Sequence, residues 1–420
     1  MSVLVDVVGI GADGWDGLAP ASRRAIESAD VLFGSPRQLA AVPGDRPLRV
    51  QWPSPLIPAL PGVLDAYADR RRCVLASGDP MFHGIGNTLA RMLGASAIRV
   101  HPHPSSVSIA CARLGWALQQ ADVVSLVARP VETVLPALSH GHRVLVLSED
   151  GSTPGVLASL LQHNGFEASS MSVLEQLGGP NERVRTASVA EWMNREDVNP
   201  LNVVALEVRS AGPRRTRVAG LDDSAYCGDG QLTKSEVRAL TISALAPAPG
   251  ERLWDVGGGS GSIAIEWMRT HPTCTAESFE RVETRSETIR INALTLGVPS
   301  LSIRGGAPAA FERAPQPDAV FVGGGATQPG MLDACWDALA EGGRLVVNAV
   351  TAESESLVLQ WYSRVGGSLR RLQVHRGEPL GSFTGWRPQM PVTQWSVVKT
   401  STPESTVPEK AVVESSEETA

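Results

Sequence analysis

The segment LWDVGGGSGSIAIEW (253–267) carries Asp255 and then Gly257, Gly258, Gly259, Ser260 and Gly261 between two apolar runs. Glycines are needed where a strand turns sharply into a helix and the backbone must approach a ligand with no Cβ in the way. The free N–H groups and positive dipole end of the helix that opens next suit a carboxylate or phosphate. Glu280 stands twenty-five positions after Asp255, where an acid at the end of the following strand binds ribose hydroxyls. This spacing fits either a nicotinamide dinucleotide or S-adenosylmethionine. The absence of a G-x-G-x-x-G turn here favours the methyl donor, whose methionine part needs no diphosphate cradle. A second glycine group, Gly9, Gly11 and Gly14 in VVGIGADG (7–14), has dinucleotide-binding spacing directly after a strand-like run.

The elements that must position these turns are legible as buried strands. VLVDVVG (3–9), RCVLAS (72–77), HRVLVLS (142–148) and NVVALEV (202–208) are short, apolar and rich in β-branched residues, each bounded by Gly, Pro or Asp. Segments with helical spacing lie between them, such as 20–30 and 152–165. A second series follows at 252–258, 274–280, 318–324, 344–350 and 392–399, with helical segments at 234–246, 260–270, 283–296 and 329–340. The expectation is two α/β domains, 1–208 and 229–400, joined by an aperiodic linker at 209–228 whose Arg214, Arg215 and Arg217 read as solvated charge. The Ser-, Thr-, Glu- and Pro-rich stretch 401–420 reads as a disordered tail.

Composition agrees with that layout. The 420 residues exceed what one core organises, and 43% hydrophobic with 19% charged residues is a globular balance. A net charge of −7 argues against a nucleic-acid partner, which would draw on clustered Lys and Arg. No apolar run reaches the length of a membrane span and no secretory signal opens the chain, so a cytoplasmic enzyme is expected, with no membrane partner. The five cysteines are scattered and no H-E-x-x-H occurs, so neither a disulfide framework nor a metal site is expected.

Taken together, DGQLTKSEVRALTISALAPAPGERLWDVGGGSGSIAIEW (229–267), RGGAPAAF (304–311) and PDAVFVGGG (317–325) closely resemble the decarboxylating carbon-15 methyltransferases of cobalamin biosynthesis, which are class I S-adenosylmethionine enzymes. The TK-x-E-VR segment is more specific than the glycine turn. The resemblance implies that Thr233, the Gly257–Gly261 turn, Glu280 and Ala307 line a donor site, with Ala307 near the adenine. Members often carry Asp where this chain has Gly306, which bears on a hydrogen bond to the adenine amino group. Lys234, Glu236 and Arg238, beside the donor loop, are the candidates for positioning or proton transfer, weighed against an exposed charged first turn of a helix.

The first half resembles the tetrapyrrole methylases, class III S-adenosylmethionine enzymes, and within them the carbon-5 methyltransferases of the corrin pathway. The segments that carry this are 7–30, ASGDPMFHGIGNTLAR (76–91), HPSSVSIACARLGW (103–116), 127–138, 147–161 and 177–184. In that family the opening glycines belong to the substrate side of a cleft and the donor lies between two lobes, which displaces the dinucleotide reading of Gly9–Gly14. The implied donor residues are Ser77, Gly78, Asp79, Gly84, Ile85, Ser105 and Ser106. Asp79 reads equally as the N-cap of a helix starting near residue 82, and His83 as a packed or capping residue more than a general base. Members often carry His at the position of Gln38 in FGSPRQL. The implied fold is α/β: a two-lobed tetrapyrrole methylase domain followed by a Rossmann-like class I methyltransferase domain.

The resemblance further implies two S-adenosylmethionine sites per chain and a precorrin-6Y-type tetrapyrrole, methylated at ring carbons 5 and 15 with loss of carbon dioxide from an acetate side chain. A homo-oligomer is expected. Trp254, Trp267, Trp386 and Trp395 are read as core residues before stacking surfaces. The rival readings are a methyltransferase for RNA or protein and a tetrapyrrole carrier with one inactive donor site.

Overall fold

The computed structural model describes residues 4–212 and 214–400, so the expected tail at 401–420 lies outside the described residues. The chain divides into two compact units, the first ending at Arg214 and the second beginning at Arg215. The break falls inside the expected linker. Its later part belongs to the second unit, because Leu221 and Tyr226 are buried in that unit's core.

In the first unit β1 (Val5–Ile10), β2 (Val31–Gly34), β3 (Leu48–Gln51), β4 (Arg72–Ser77) and β5 (Ile98–His101) form a parallel sheet ordered β3-β2-β4-β1-β5. Buried runs such as VDVVGI and RCVLAS are covered by apolar side chains on both faces, which is why they lack alternation. Ile10 pairs with Ser77 in the register of β1 and β4, so the glycine-bearing segments after both strands leave the sheet side by side. A second sheet, ordered β6-β7-β10-β8-β9, contains β6 (Ala121–Ser125), β7 (Arg143–Leu147), β8 (Ser170–Glu175), β9 (Arg183–Ser188) and β10 (Asn202–Glu207). Only β6 and β7 run parallel there.

The second unit is built on a seven-stranded sheet ordered β13-β12-β11-β14-β15-β19-β16. Its strands are β11 (Arg252–Val256), β12 (Thr275–Phe279), β13 (Ser302–Arg304), β14 (Ala319–Val322), β15 (Arg344–Ala349), β16 (Ser368–Leu372) and β19 (Val392–Val398). The five strands β11 to β15 are parallel, and β19 runs antiparallel to both of its neighbours. The order reverses between β11 and β14, and ligands of open α/β sheets bind outside the carboxyl ends at such a switch point. A separate hairpin pairs β17 (His375–Leu380) with β18 (Phe383–Pro388). Trp254, Trp267 and Trp395 are core residues, whereas Trp386 on the hairpin is 77% exposed.

Candidate active sites

In the second unit the turn after β11 is held in a shape that requires glycine. Gly257, Gly259 and Gly261 have φ of +77°, +58° and +76°. A Cβ on Gly257 would lie 2.8 Å from the backbone N and Cα of Gly324 after β14, and one on Gly258 would lie 2.2 Å from Ser278 Oγ. On Gly259 it would meet nothing nearer than Gln231 O at 3.4 Å, so this residue presents an open backbone face. The helix Ser262–Thr270 begins directly after Gly261.

Glu280, buried at the end of β12, accepts from Gly259 N at 2.9 Å and Val282 N at 2.9 Å. Each carboxylate oxygen keeps a lone pair for a further donor. Asp255, fully enclosed below the turn, is pushed up to about 7, chiefly by burial. The Ala264 N–H pointing at it opposes that shift and the charge of Glu280 adds to it. A cavity of about 130 Å³ opens beside the turn, lined in part by Gly259, Ser260 and Arg285. Ala307 is half-buried against the apolar cluster around Trp254 and Phe279. A side chain at Gly306 would meet Arg281 Cβ at 2.9 Å, so an Asp there would require Arg281 to shift.

The loop ahead of the turn is fixed by a buried ion pair. Arg238 is inaccessible to solvent. It donates from Nε to Glu266 Oε1 at 2.5 Å, and its terminal nitrogens donate to the carbonyls of Thr233 and Leu221. Glu266 also accepts from Gly220 N, Leu221 N and the Tyr226 hydroxyl. Arg238 therefore acts on the site through the loop that carries Thr233. Its partner Glu266 is twenty-eight residues away, which is why its charge reads as exposed in the sequence. Lys234 is the residue before the helix Ser235–Leu245, with Nζ 3.7 Å from Asp223 Oδ2. Glu236 accepts from Arg376 of β17 at 2.7 Å, and this contact holds its carboxyl below the usual range. Asn292 was not legible as a site residue. It is buried, and its Nδ2 donates to Ser260 O and Cys227 O at 2.9 Å each, tying the turn to the preceding loop.

In the first unit a narrow cleft of about 90 Å³ is lined by Ile10, Gly11, Ser77, Gly78 and Ser106 on one side, and by Leu174, Leu177 and Val203 of the second-sheet lobe on the other. Gly78 has φ +58°, and Gly9 faces it so closely that a Cβ there would lie 2.2 Å from Gly78 O. Gly9 thus serves strand-end packing. Ser105 caps the helix Ser106–Leu114 by accepting from Ser108 N at 3.2 Å.

Asp79 does not cap a helix. The helix starts at Ile85 with Gly84 before it, and Asp79 instead accepts from Met81 N at 2.8 Å in a tight turn. The turn is set by Pro80, whose carbonyl accepts from Gly86 N and lies so near Gly84 that only glycine fits there. His83 takes a left-handed φ of +53°, and burial together with Arg129 moves its pKa down, toward the neutral ring. Gln38 is buried. It accepts from Ser35 N and donates to Ser77 Oγ at 3.1 Å, connecting its loop to the S-G-D-P segment.

Comparison with known proteins follows this division of the chain. A tetrapyrrole (corrin/porphyrin) methylase model matches residues 5–192, and a precorrin methyltransferase domain model matches residues 224–399. The "Precorrin-6Y C(5,15)-methyltransferase [decarboxylating]" of Mycobacterium tuberculosis is 51% identical over 94% of this chain and 100% of its own. The protein of the same name from Sinorhizobium is 48% identical over 95% of this chain and 97% of its own. The chain belongs to the decarboxylating precorrin-6Y methyltransferase family. A cobalt-precorrin-7 C(5)-methyltransferase of Salmonella typhimurium is 32% identical over 44% of this chain and 92% of its own. As a member of this family the chain is a methyltransferase enzyme that uses S-adenosylmethionine, with the two-part α/β architecture expected from its sequence. Among the described residues no helix is long and apolar enough to cross a membrane.

Proposed function

We propose that this chain methylates a precorrin-6Y-type tetrapyrrole at ring carbons 5 and 15 and releases carbon dioxide from an acetate side chain. The first unit performs the carbon-5 step and the second performs the carbon-15 step with decarboxylation. The observation that carries this reading is the coexistence, in one chain matched almost end to end by such enzymes, of two unrelated cradles. One is a cleft lined by both lobes of a tetrapyrrole methylase unit, and the other a triple-glycine turn with a buried acid at a class I switch point.

Each cradle suits the methyl donor. In the second unit the open face of Gly259, the adjacent Ser260 and Glu280 are the groups to hold its amino-acid and ribose parts, with Thr233 and Ala307 flanking. In the first unit Ser77, Gly78, Asp79, Gly84, Ile85, Ser105 and Ser106 take that role. The donor supplies an electrophilic methyl on a sulfonium. The tetrapyrrole supplies an electron-rich ring carbon, so the protein's main work is to align the two and exclude water. Glu236, ionised beside Arg376, is a group of the second unit able to accept a proton near the donor loop, and Lys234 beside Asp223 is one able to orient a carboxylate or donate a hydrogen bond. Arg238 positions that loop. Decarboxylation draws on the conjugated macrocycle as its own electron sink, with cationic side chains holding the other carboxylates.

The test is turnover. The purified chain, given labelled donor and metal-free precorrin-6Y, should yield a product with two added methyl groups and one carbon dioxide lost. Recovery of unmethylated tetrapyrrole from a folded chain would refute the reading.

A further inference from the structure

We propose that Arg37 and Ser77 form a carboxylate clamp at the lip of the first unit's cleft. The proposal rests on the carbon-5 reading of that unit and assigns a residue, Arg37, that the sequence did not single out. Arg37 lines the cleft, and among its lining residues it alone carries a formal charge. Much of the remaining wall is apolar: Ile10, Ile109, Leu174, Leu177, Leu201 and Val203. Among the described residues no carboxylate pairs with Arg37. Among the described residues its side chain donates from Nη2 to Ser77 Oγ at 3.0 Å. A guanidinium carries five N–H donors in a planar fork, so most of the fork is left for another acceptor.

Ser77 sharpens the site. Its Oγ accepts from Arg37 at 3.0 Å and from Gln38 Nε2 at 3.1 Å. A hydroxyl has two lone pairs and one hydrogen, so both acceptor positions are taken and its own hydrogen is left to donate. Gln38 is itself locked by the reciprocal capping contacts with Ser35, which fixes the direction from which Ser77 is approached. The arrangement offers a planar cation and a polarised O–H side by side in a mostly apolar cleft. That is the chemistry of carboxylate recognition. Two kinds of carboxylate are present in the reaction: the amino-acid end of the donor and the acid side chains of the tetrapyrrole.

Steady-state kinetics of carbon-5 methylation by the full chain tests the clamp. The comparison is between wild type, Arg37→Gln and Arg37→Lys, with melting temperature as the check on folding. Arg37→Gln should raise the KM of one carboxylate-bearing ligand by about tenfold or more, as loss of a charge-assisted pair does. Melting should not change, and Arg37→Lys should fall between. Ser77→Ala, which removes only the hydroxyl, should raise the same KM. Inhibition by S-adenosylhomocysteine and by methylthioadenosine, which lacks the amino-acid end, identifies the source. Weakened inhibition by the first alone assigns the donor's carboxylate. Unchanged inhibition by both, with a raised tetrapyrrole KM, assigns the macrocycle side chain. Unchanged KM for both ligands in Arg37→Gln would overturn the clamp. A wild-type chain that makes no carbon-5 product would overturn the reading of the unit and the clamp with it.

Discussion

Substituting alanine at Gly257 and at Gly259 separates packing from ligand contact within one turn. Both glycines have left-handed φ, which costs an L-residue roughly 1–2 kcal/mol. At Gly257 the new Cβ would also lie 2.8 Å from the backbone of Gly324, well inside the ~3.5–4.0 Å of an ordinary carbon contact, and backbone on the neighbouring strand end has little room to give. Overpacking of this kind adds about 1–3 kcal/mol. Gly257→Ala should therefore destabilise the second unit by about 2–5 kcal/mol, whereas Gly259→Ala, with nothing nearer than 3.4 Å, should cost only the conformational part. At about 2–4 °C per kcal/mol for a unit of this size, the first variant should melt roughly 4–20 °C below wild type and the second within several degrees of it. Gly259→Ala should still weaken donor binding, because its Cβ enters the open face of the cradle. The assay is differential scanning calorimetry of the second unit's transition, with donor affinity and carbon-15 product measured in parallel. A Gly257→Ala chain that melts like wild type, or a Gly259→Ala chain that melts lower than Gly257→Ala, would refute the geometry.

Other perturbations bear on the same sites. Arg238→Met leaves Glu266 buried without its partner and should cost the second unit about 3–5 kcal/mol, measured by denaturant unfolding, while Lys234→Met should unfold like wild type and lose carbon-15 product. Asp255 binds its proton more tightly in the folded chain than in the unfolded one, so its contribution is full at low pH and is lost as pH rises from about 4 through about 7. Asp255→Asn should remove that slope, roughly 1.4 kcal/mol per pH unit across the window, and should be more stable than wild type at pH 8; equal slopes in the two proteins would contradict the burial argument. Gly9→Ala drives a Cβ into Gly78 O and should abolish carbon-5 product while carbon-15 product, followed by mass spectrometry, persists.

The sequence was most informative where local chemistry and burial coincide. The runs 72–77 and 202–207 are buried strands with no alternation, and the glycine turn at 257–261 follows its strand as the spacing requires. It was least informative where a residue's environment is set by distant partners. Arg238 looks like an exposed charge at the start of a helix until Glu266 is brought against it, and the segment around Leu221 and Tyr226 looks like linker until the same pair folds it onto the second core. Asp79 misled because a short polar residue before an apolar run resembles a helix cap, whereas Pro80 delays the helix to Ile85. The hairpin of β17 and β18 had no sequence signal, since Pro379 and Pro388 interrupt strands whose large side chains, Leu380, Phe383 and Trp386, remain in solvent.

Calorimetric titration of the full chain with S-adenosylhomocysteine tests the central claim most directly. Two cradles of different architecture should bind two molecules per chain, with Gly259→Ala selectively weakening one of the two binding events. A single binding event in wild type, or a Gly259→Ala chain that retains both unaltered, would contradict the account.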